Sequence, residues 1–190
     1  MELKSDIVLK GDVWYKVNQG YVRKFFETQW GLFKVCLSVG ILYDSHAEDE
    51  KGADAEEGIN IPRSMFNRNA AEMQFFFQSA ILTSNTVNLS EKDRLYLAFS
   101  EEISEEEMEG DDTEILRKGV SEDAINFDRV EFLKKFANYG AAKLAECLTS
   151  NESETMENLM EFMNSSYNGK TPELLKLKEV VEHDELVDYM

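Results

Sequence analysis

The residues best suited to chemistry in this chain are two histidines with carboxylates beside them. His46 lies within an acidic run, residues 44–50, and His183 lies between Glu182 and Asp184. A calcium-binding loop needs oxygen ligands at alternating positions and a turn-forming glycine at a fixed position. The acidic run lacks that spacing, so we predict a mobile, solvated loop over residues 44–52 and a surface position on a helix for His183.

Other catalytic signatures are missing from the sequence. Cys36 and Cys147 each lie in a helical pattern, which predicts two buried reduced thiols, and nothing supports the alternative of a disulfide or redox pair. No zinc-type Cys/His spacing and no phosphate-binding glycine loop occurs. The glutamates between 101 and 107 have few apolar neighbours, whereas general acid–base chemistry needs a desolvated cleft. We therefore expect no enzyme activity, no metal and no cofactor.

The chain has 190 residues and a formal net charge of −18, and its acidic excess is concentrated in three stretches. Residues 44–60, 101–125 and 151–190 carry net charges of −6, −9 and −7, while the rest of the chain carries +4. This balance argues against a nonspecific nucleic-acid binder, because contacts to phosphate need Lys and Arg. We interpret the first two stretches as loops between near-neutral helices.

The apolar pattern predicts an all-α, compact multi-helix domain over residues 1–150. Two prolines leave room for long helices, and a hydrophobic fraction of 43% is enough for a core. Thr28 and Ser90 are placed to cap helices, since each side chain can accept a hydrogen bond from a free backbone N–H group. The predicted helices cover residues 13–25, 28–43, 69–83 and 127–148, with another starting at Ser90, and short extended pieces lie at 7–9 and 59–61.

Two glycines stand out because they lie in helical segments. Gly140 falls inside the predicted helix 127–148, where glycine costs about 1 kcal/mol relative to alanine. Its neighbours in the stretch 137–142 are also small, which predicts either a close helix contact or a local kink. Gly40 either ends the helix 28–43 or lets another backbone approach it.

Residues 151–190 are predicted to form an acidic helical tail, which could be a docking element. A helix opens at Asn151 and places an apolar group on one side, namely Met156, Leu159, Met160 and Met163. A second helix begins at Thr171 and Pro172, because Thr is a good cap and Pro fits the first turn. Its stripe contains Leu174 and Leu177, with Val180 or Val181. We expect the tail to pack on its own body in preference to a partner.

Two segments carry a family resemblance. Phe26-Glu27-Thr28 followed by an apolar helix to Gly40, and the later aromatic-Ala-Asn-x-Gly run over residues 136–140, are similar to the opening and closing helices of small DNA-phosphorothioation (Dnd) system-associated accessory proteins. The resemblance spans about 26–148, with departures at Gly31, where an acid is usual, and at Tyr139, which replaces a glycine. It implies a place in prokaryotic DNA modification or anti-phage defence, and it brings no catalytic motif.

From these observations we predict a cytoplasmic, non-catalytic accessory or adaptor subunit that binds larger protein subunits of such an assembly. No apolar run is long enough to span a membrane, so no membrane partner is expected. An acidic DNA mimic or nuclease inhibitor is the alternative, and weak DNA contact through a face formed by Lys34, Lys134 and Lys135 is a third possibility. The predicted partner-binding residues are Lys34, Arg129, Lys134, Lys135, Leu174, Leu177 and Val181.

Overall fold

The computed structural model describes residues 3–19, 24–50, 58–100, 118–171 and 174–175, which form eight helices and two short strands. This confirms the predicted all-α class. The strands are β1 (Ile7–Leu9) and β2 (Ile59–Ile61). The helices are α1 (Asp12–Gln19), α2 (Gln29–Leu42), α3 (Arg63–Arg68), α4 (Ala70–Thr83), α5 (Glu91–Phe99), α6 (Glu122–Ile125), α7 (Arg129–Glu146) and α8 (Glu152–Tyr167).

Helices α2 and α7 form the centre of the fold and pack antiparallel with their backbones in contact. A Cβ atom on Gly40 would meet the backbone of Phe136, and one on Gly140 would meet the backbone of Cys36, each at a distance that real Cβ atoms essentially never show. Helix α2 continues to Leu42, so Gly40 does not end the helix. Gly40 instead allows the backbone of α7 to approach α2 closely. The predicted close contact at Gly140 is also present.

Side-chain caps fix where the helices begin. The Thr28 hydroxyl accepts a hydrogen bond from the Gly31 N–H at 3.0 Å, and Ser90 forms a capping box with Asp93. Both predicted caps are therefore confirmed. Asp93 also accepts from the Ser121 N–H at 2.8 Å, and this bond, together with that from the Ser90 hydroxyl, lowers the pKa of Asp93. One carboxylate thus joins the starts of α5 and α6.

The two extended pieces form an antiparallel pair, with Ile7 opposite Ile61 and Leu9 opposite Ile59. These four side chains are buried, and they alternate with exposed residues as expected for a strand with one face on the core. The pattern predicted both extended pieces. Their pairing joins segments that are distant in the sequence, and it was not predicted.

Helix α8 packs on the body, in agreement with the preferred interpretation of the tail. Leu159 is buried in the main core, and the Phe162 ring stacks on Tyr43 with 6.2 Å between centroids. The Tyr43 and Ser166 hydroxyls are hydrogen-bonded at 2.8 Å. Leu174 is also buried, against Val39 and Tyr43, so in this conformation it contributes to packing of the body. The predicted partner-binding residues Leu177 and Val181 lie outside the described residues.

Candidate protein-interaction surfaces

The basic side chains predicted to bind a partner are held by other groups of the protein. Lys34 Nζ lies 3.0 Å from Glu72 Oε1. The guanidinium of Arg129 lies over the Phe77 ring, 5.1 Å from its centroid, and donates to the Ser100 hydroxyl at 3.2 Å. These contacts link α2 to α4 and fix the start of α7, so both side chains have structural partners.

Lys134 and Lys135 bind the acidic run 44–50, which we call the acidic strap. Lys134 Nζ forms an ion pair with Asp49, and Lys135 Nζ lies 2.6 Å from Glu48 Oε1. The Ala47 N–H donates to the Lys135 carbonyl at 3.0 Å, which adds a backbone bond to the two ion pairs. The acidic strap therefore lies along α7, and its carboxylates pair with Lys134 and Lys135, two of the three lysines of the predicted basic face.

A buried amide connects the acidic strap to α1. Asn138, on α7, accepts from the Trp14 indole N–H at 2.8 Å and donates to Asp49 Oδ1 at 2.9 Å. Its amide also donates to the Ala47 carbonyl at 3.2 Å. Partial burial raises the pKa of Asp49, but the hydrogen bonds from Lys134 and Asn138 outweigh it, so the net shift is downward. Asp49 thus stays ionised at neutral pH as a structural anion.

His46 anchors the middle of the acidic strap. Its ring meets Phe136 edge-to-face with 4.1 Å between centroids, and its Nε2 lies 3.1 Å from the Thr86 hydroxyl. Burial lowers the pKa of His46, with a smaller contribution from the nearby Lys135 charge. Residues 45–50 have no regular secondary structure, which agrees with the predicted loop. The prediction that the loop is free in solvent is wrong for 44–50, because its carboxylates and its histidine have partners on the body. Residues 51–57 lie outside the described residues.

The ends of the acidic strap are also fixed. Glu50 Oε2 accepts from the Asp12 N–H at 2.7 Å and so caps α1, and Asp44 Oδ2 accepts from the Asn85 N–H at 2.8 Å. A cleft of about 220 Å³ lies between the acidic strap and α1, and its carboxylates include Glu48 and Glu50. Both already bind protein groups, and the described residues that line the cleft include no histidine, cysteine or serine.

The two cysteine thiols lie within the core. Cys36 and Cys147 are both free and buried, which confirms the prediction of two reduced thiols. Burial raises the pKa of Cys147 to about 11 and that of Cys36 further, so both thiols are protonated at neutral pH. Within the described ranges, no group of three or more His, Cys, Asp or Glu residues is arranged to hold a metal ion.

Both helices of the α4–α5 hairpin carry exposed apolar side chains. We call this set the hairpin face, and it consists of Phe75, Leu82, Leu95 and Phe99. Phe75 is the most exposed of these side chains, at 65%. The amides of Gln74 and Gln78 donate to the Ala98 carbonyl at 3.3 and 3.0 Å, which holds the two helices side by side. The hairpin face contains no charged side chain.

A second apolar surface lies on α8 and corrects the predicted face of that helix. Leu159 is buried, but the three methionines placed beside it by the pattern point to solvent, with Met160 65% exposed. With Tyr167, which is 89% exposed, they form a line that we call the methionine row: Met156, Met160, Met163 and Tyr167. The side that meets the body is instead formed by Thr155, Leu159, Phe162 and Ser166. No sequence signal predicted this face, because Thr and Ser are usually exposed.

Comparison with known proteins adds no family or function. No family model, curated protein or solved structure matches the chain. The resemblance over residues 26–148 therefore stays an expectation from the sequence. None of the helices in the described part of the chain has the length and apolar character needed to span a membrane.

Proposed function

We propose that this protein is a non-catalytic accessory or adaptor subunit that acts by binding larger proteins. The observation that carries the proposal is the hairpin face, where two phenylalanines and two leucines are exposed on neighbouring helices. Exposed apolar side chains that lie close together commonly mark protein interaction sites, and these four are on helices that the Gln74 and Gln78 amides hold side by side. The resemblance suggests the setting, which is a prokaryotic DNA-modification or anti-phage defence assembly in the cytoplasm.

The fate of the basic residues favours protein contacts over DNA contacts. Binding to DNA releases counterions only when Lys and Arg side chains reach phosphates. Lys34, Lys134 and Lys135 each have a carboxylate within ion-pair distance, so DNA would have to displace a partner already in place. The apolar side chains of the hairpin face form no ion pair that a partner would have to displace, so we favour this surface for a partner.

The proposal is tested by producing the chain together with the products of its neighbouring genes and purifying the native complex. We expect stable co-purification of a larger protein, and we expect the double variant Phe75→Ser/Phe99→Ser to lose it. The matched control is Val8→Ser/Tyr15→Ser, which also removes two exposed apolar side chains but from β1 and α1. A wild-type chain that always elutes alone, or equal loss in both variants, would contradict the proposal.

An acidic DNA mimic or nuclease inhibitor is the second candidate, and one observation favours it. Glu154, Glu157 and Glu161 are exposed on one side of α8, and a helix holds charges at fixed spacing as a mimic requires. The acidic strap does not contribute, because its carboxylates bind groups of the body. Inhibition of a DNA-binding enzyme that disappears when these three glutamates become glutamines would support the mimic. Unchanged inhibition would argue against a role for α8.

A further inference from the structure

The methionine row is an exposed apolar line along α8, and the Asn151 side chain caps the start of this helix. Its four members follow one another at steps of four, three and four residues, which places them on one side of α8. Leu159 and Phe162 fix the adjacent side against the body, so the orientation of the row is set by core packing. Three unbranched, polarizable methionine side chains can adapt to many apolar shapes.

The charged side chains of α8 itself are all negative. Helix α8 contains four glutamates and no lysine or arginine. Glu157 and Glu161 are both exposed and follow the row on the side away from the body. Glu152, in the first turn of α8, lies 3.7 Å from Lys24 Nζ. An apolar line bordered by carboxylates is complementary to a surface that is apolar in the middle and basic at its edge.

We propose that the methionine row binds a basic amphipathic helix of a partner protein. The partner would lay a stripe of Leu, Ile, Phe or Met along Met156, Met160 and Met163, with Lys or Arg reaching Glu157 and Glu161. This is the usual geometry of an amphipathic helix docked by its apolar face. The proposal deepens the proposed function, since it names the partner chemistry, but it uses a different surface from the hairpin face.

Charge decides against two other occupants. A second copy of this chain would bring another α8 with four glutamates, and like charges facing each other across an interface cost affinity. Residues 176–190 of the chain itself have two lysines and five acidic residues, so they also repel the glutamate border. A basic helix is the occupant that satisfies both the apolar row and its acidic edge.

The experiment uses the full chain with its methionine methyl groups labelled for NMR. The probe is a synthetic peptide of about 18 residues with leucines on one helical face and lysines at the borders of that face. The matched peptide keeps the leucines and carries glutamates. We expect the lysine peptide to shift the methyl signals of Met156, Met160 and Met163 saturably, and to bind at least about tenfold more tightly than the glutamate peptide.

Two pairs of variants locate the site. Met160→Ser should weaken binding of the lysine peptide at least about fivefold, whereas Leu82→Ser, an equal apolar loss on the hairpin face, should leave it unchanged. Glu157→Gln/Glu161→Gln should weaken binding and reduce its salt dependence. The variant Glu91→Gln/Glu122→Gln removes the same charge elsewhere and should have little effect.

Three results would overturn the inference. Shifts that spread to the core methionine Met73, or equal losses in the two glutamine variants, would mean that only net charge attracts the peptide. Tighter peptide binding by Val181→Glu would mean that the chain's own end occupies the row. If the peptide does not bind, this site is refuted, but the proposal for the hairpin face is unaffected. If the peptide binds but no larger protein co-purifies, the proposed function is refuted and this site is retained.

Discussion

Gly140 on α7 lies so close to the backbone of Cys36 on α2 that a Cβ atom at Gly140 would collide with the Cys36 carbonyl group. Gly40 meets the backbone of Phe136 in the reciprocal way, one helical turn along each helix. The two glycines thus set the distance between the central helices. Every residue that α7 presents to the acidic strap is positioned by this contact.

Gly140→Ala should destabilise the protein, although helix propensity alone predicts a gain of about 1 kcal/mol. The added methyl group cannot be accommodated without moving α2, and overpacking of this kind costs about 1–3 kcal/mol. Urea unfolding followed by circular dichroism measures the change in the free energy of unfolding. Ser38→Ala, at an exposed position of α2, is the control and should change it by less than about 0.5 kcal/mol. A stabilised Gly140→Ala protein would show that the helices are further apart.

Asn138→Ala should lower the free energy of unfolding by about 1–3 kcal/mol, because it leaves the buried Trp14 N–H and the Ala47 carbonyl without their partner. The fluorescence of Trp14 should also change as the indole loses its hydrogen bond. Asn85→Ala is the control, because the hydrogen bond from Asn85 to Asp44 is donated by the Asn85 backbone N–H, which alanine retains. Equal stability of the two variants would argue against the amide network.

The ion pair between Lys134 and Asp49 should contribute more than the pair between Lys135 and Glu48. The Lys134 side chain is only 14% exposed, whereas Glu48 is 76% exposed and its pair is screened by water. Double-mutant cycles with Lys→Met and acid→amide changes should give a coupling of about 1–3 kcal/mol for the first pair, and below about 1 kcal/mol for the second. Raising NaCl from about 0.1 to 1 M should reduce mainly the second coupling. Equal coupling energies for the two pairs would show that the Lys134–Asp49 pair is not the stronger attachment of the acidic strap.

His46 should make the protein less stable as the pH falls below the unperturbed histidine pKa of 6.5. Burial lowers the pKa of His46 in the folded state, so the unfolded chain takes up a proton first, and stability falls until the pH passes the folded-state pKa. The decrease in the free energy of unfolding between about pH 7.5 and 5.5 should be larger for the wild type than for His46→Asn. The carboxylates with lowered pKa, such as Asp49, lose their contribution only below about pH 4, so the two effects separate. Identical pH profiles would place His46 in solvent.

Local rules were sufficient for much of the fold. Thr28 and Ser90 start helices because a hydroxyl can satisfy a free N–H group within three residues, a property of the short segment itself. The apolar content of α2 predicted its burial, and the structure leaves only Ser38 and Leu42 of that helix exposed. The burial of Cys36 and Cys147 was predicted in the same way, because cysteines in apolar helical segments are usually buried.

Local rules failed where a charged or polar side chain found a distant partner. The acidic strap looked solvated because no sequence pattern indicates that Asp49 would meet Lys134 and Asn138, far along the chain. The face of α8 was misassigned for a related reason: Thr155 is buried through bonds to Thr149, while methionines of higher hydrophobicity remain outside.

The sequence alone determined the helical class, the main helix starts and the separation of acidic stretches from a near-neutral apolar body, because these depend on neighbours within a few residues. The tertiary structure decided which charges are neutralised and which apolar side chains stay exposed. Those outcomes depend on the approach of α2 to α7, where two glycines bring the backbones together and leave α7 to hold the acidic strap. The two surfaces that we propose for partners, the hairpin face and the methionine row, could be identified only after that packing was known.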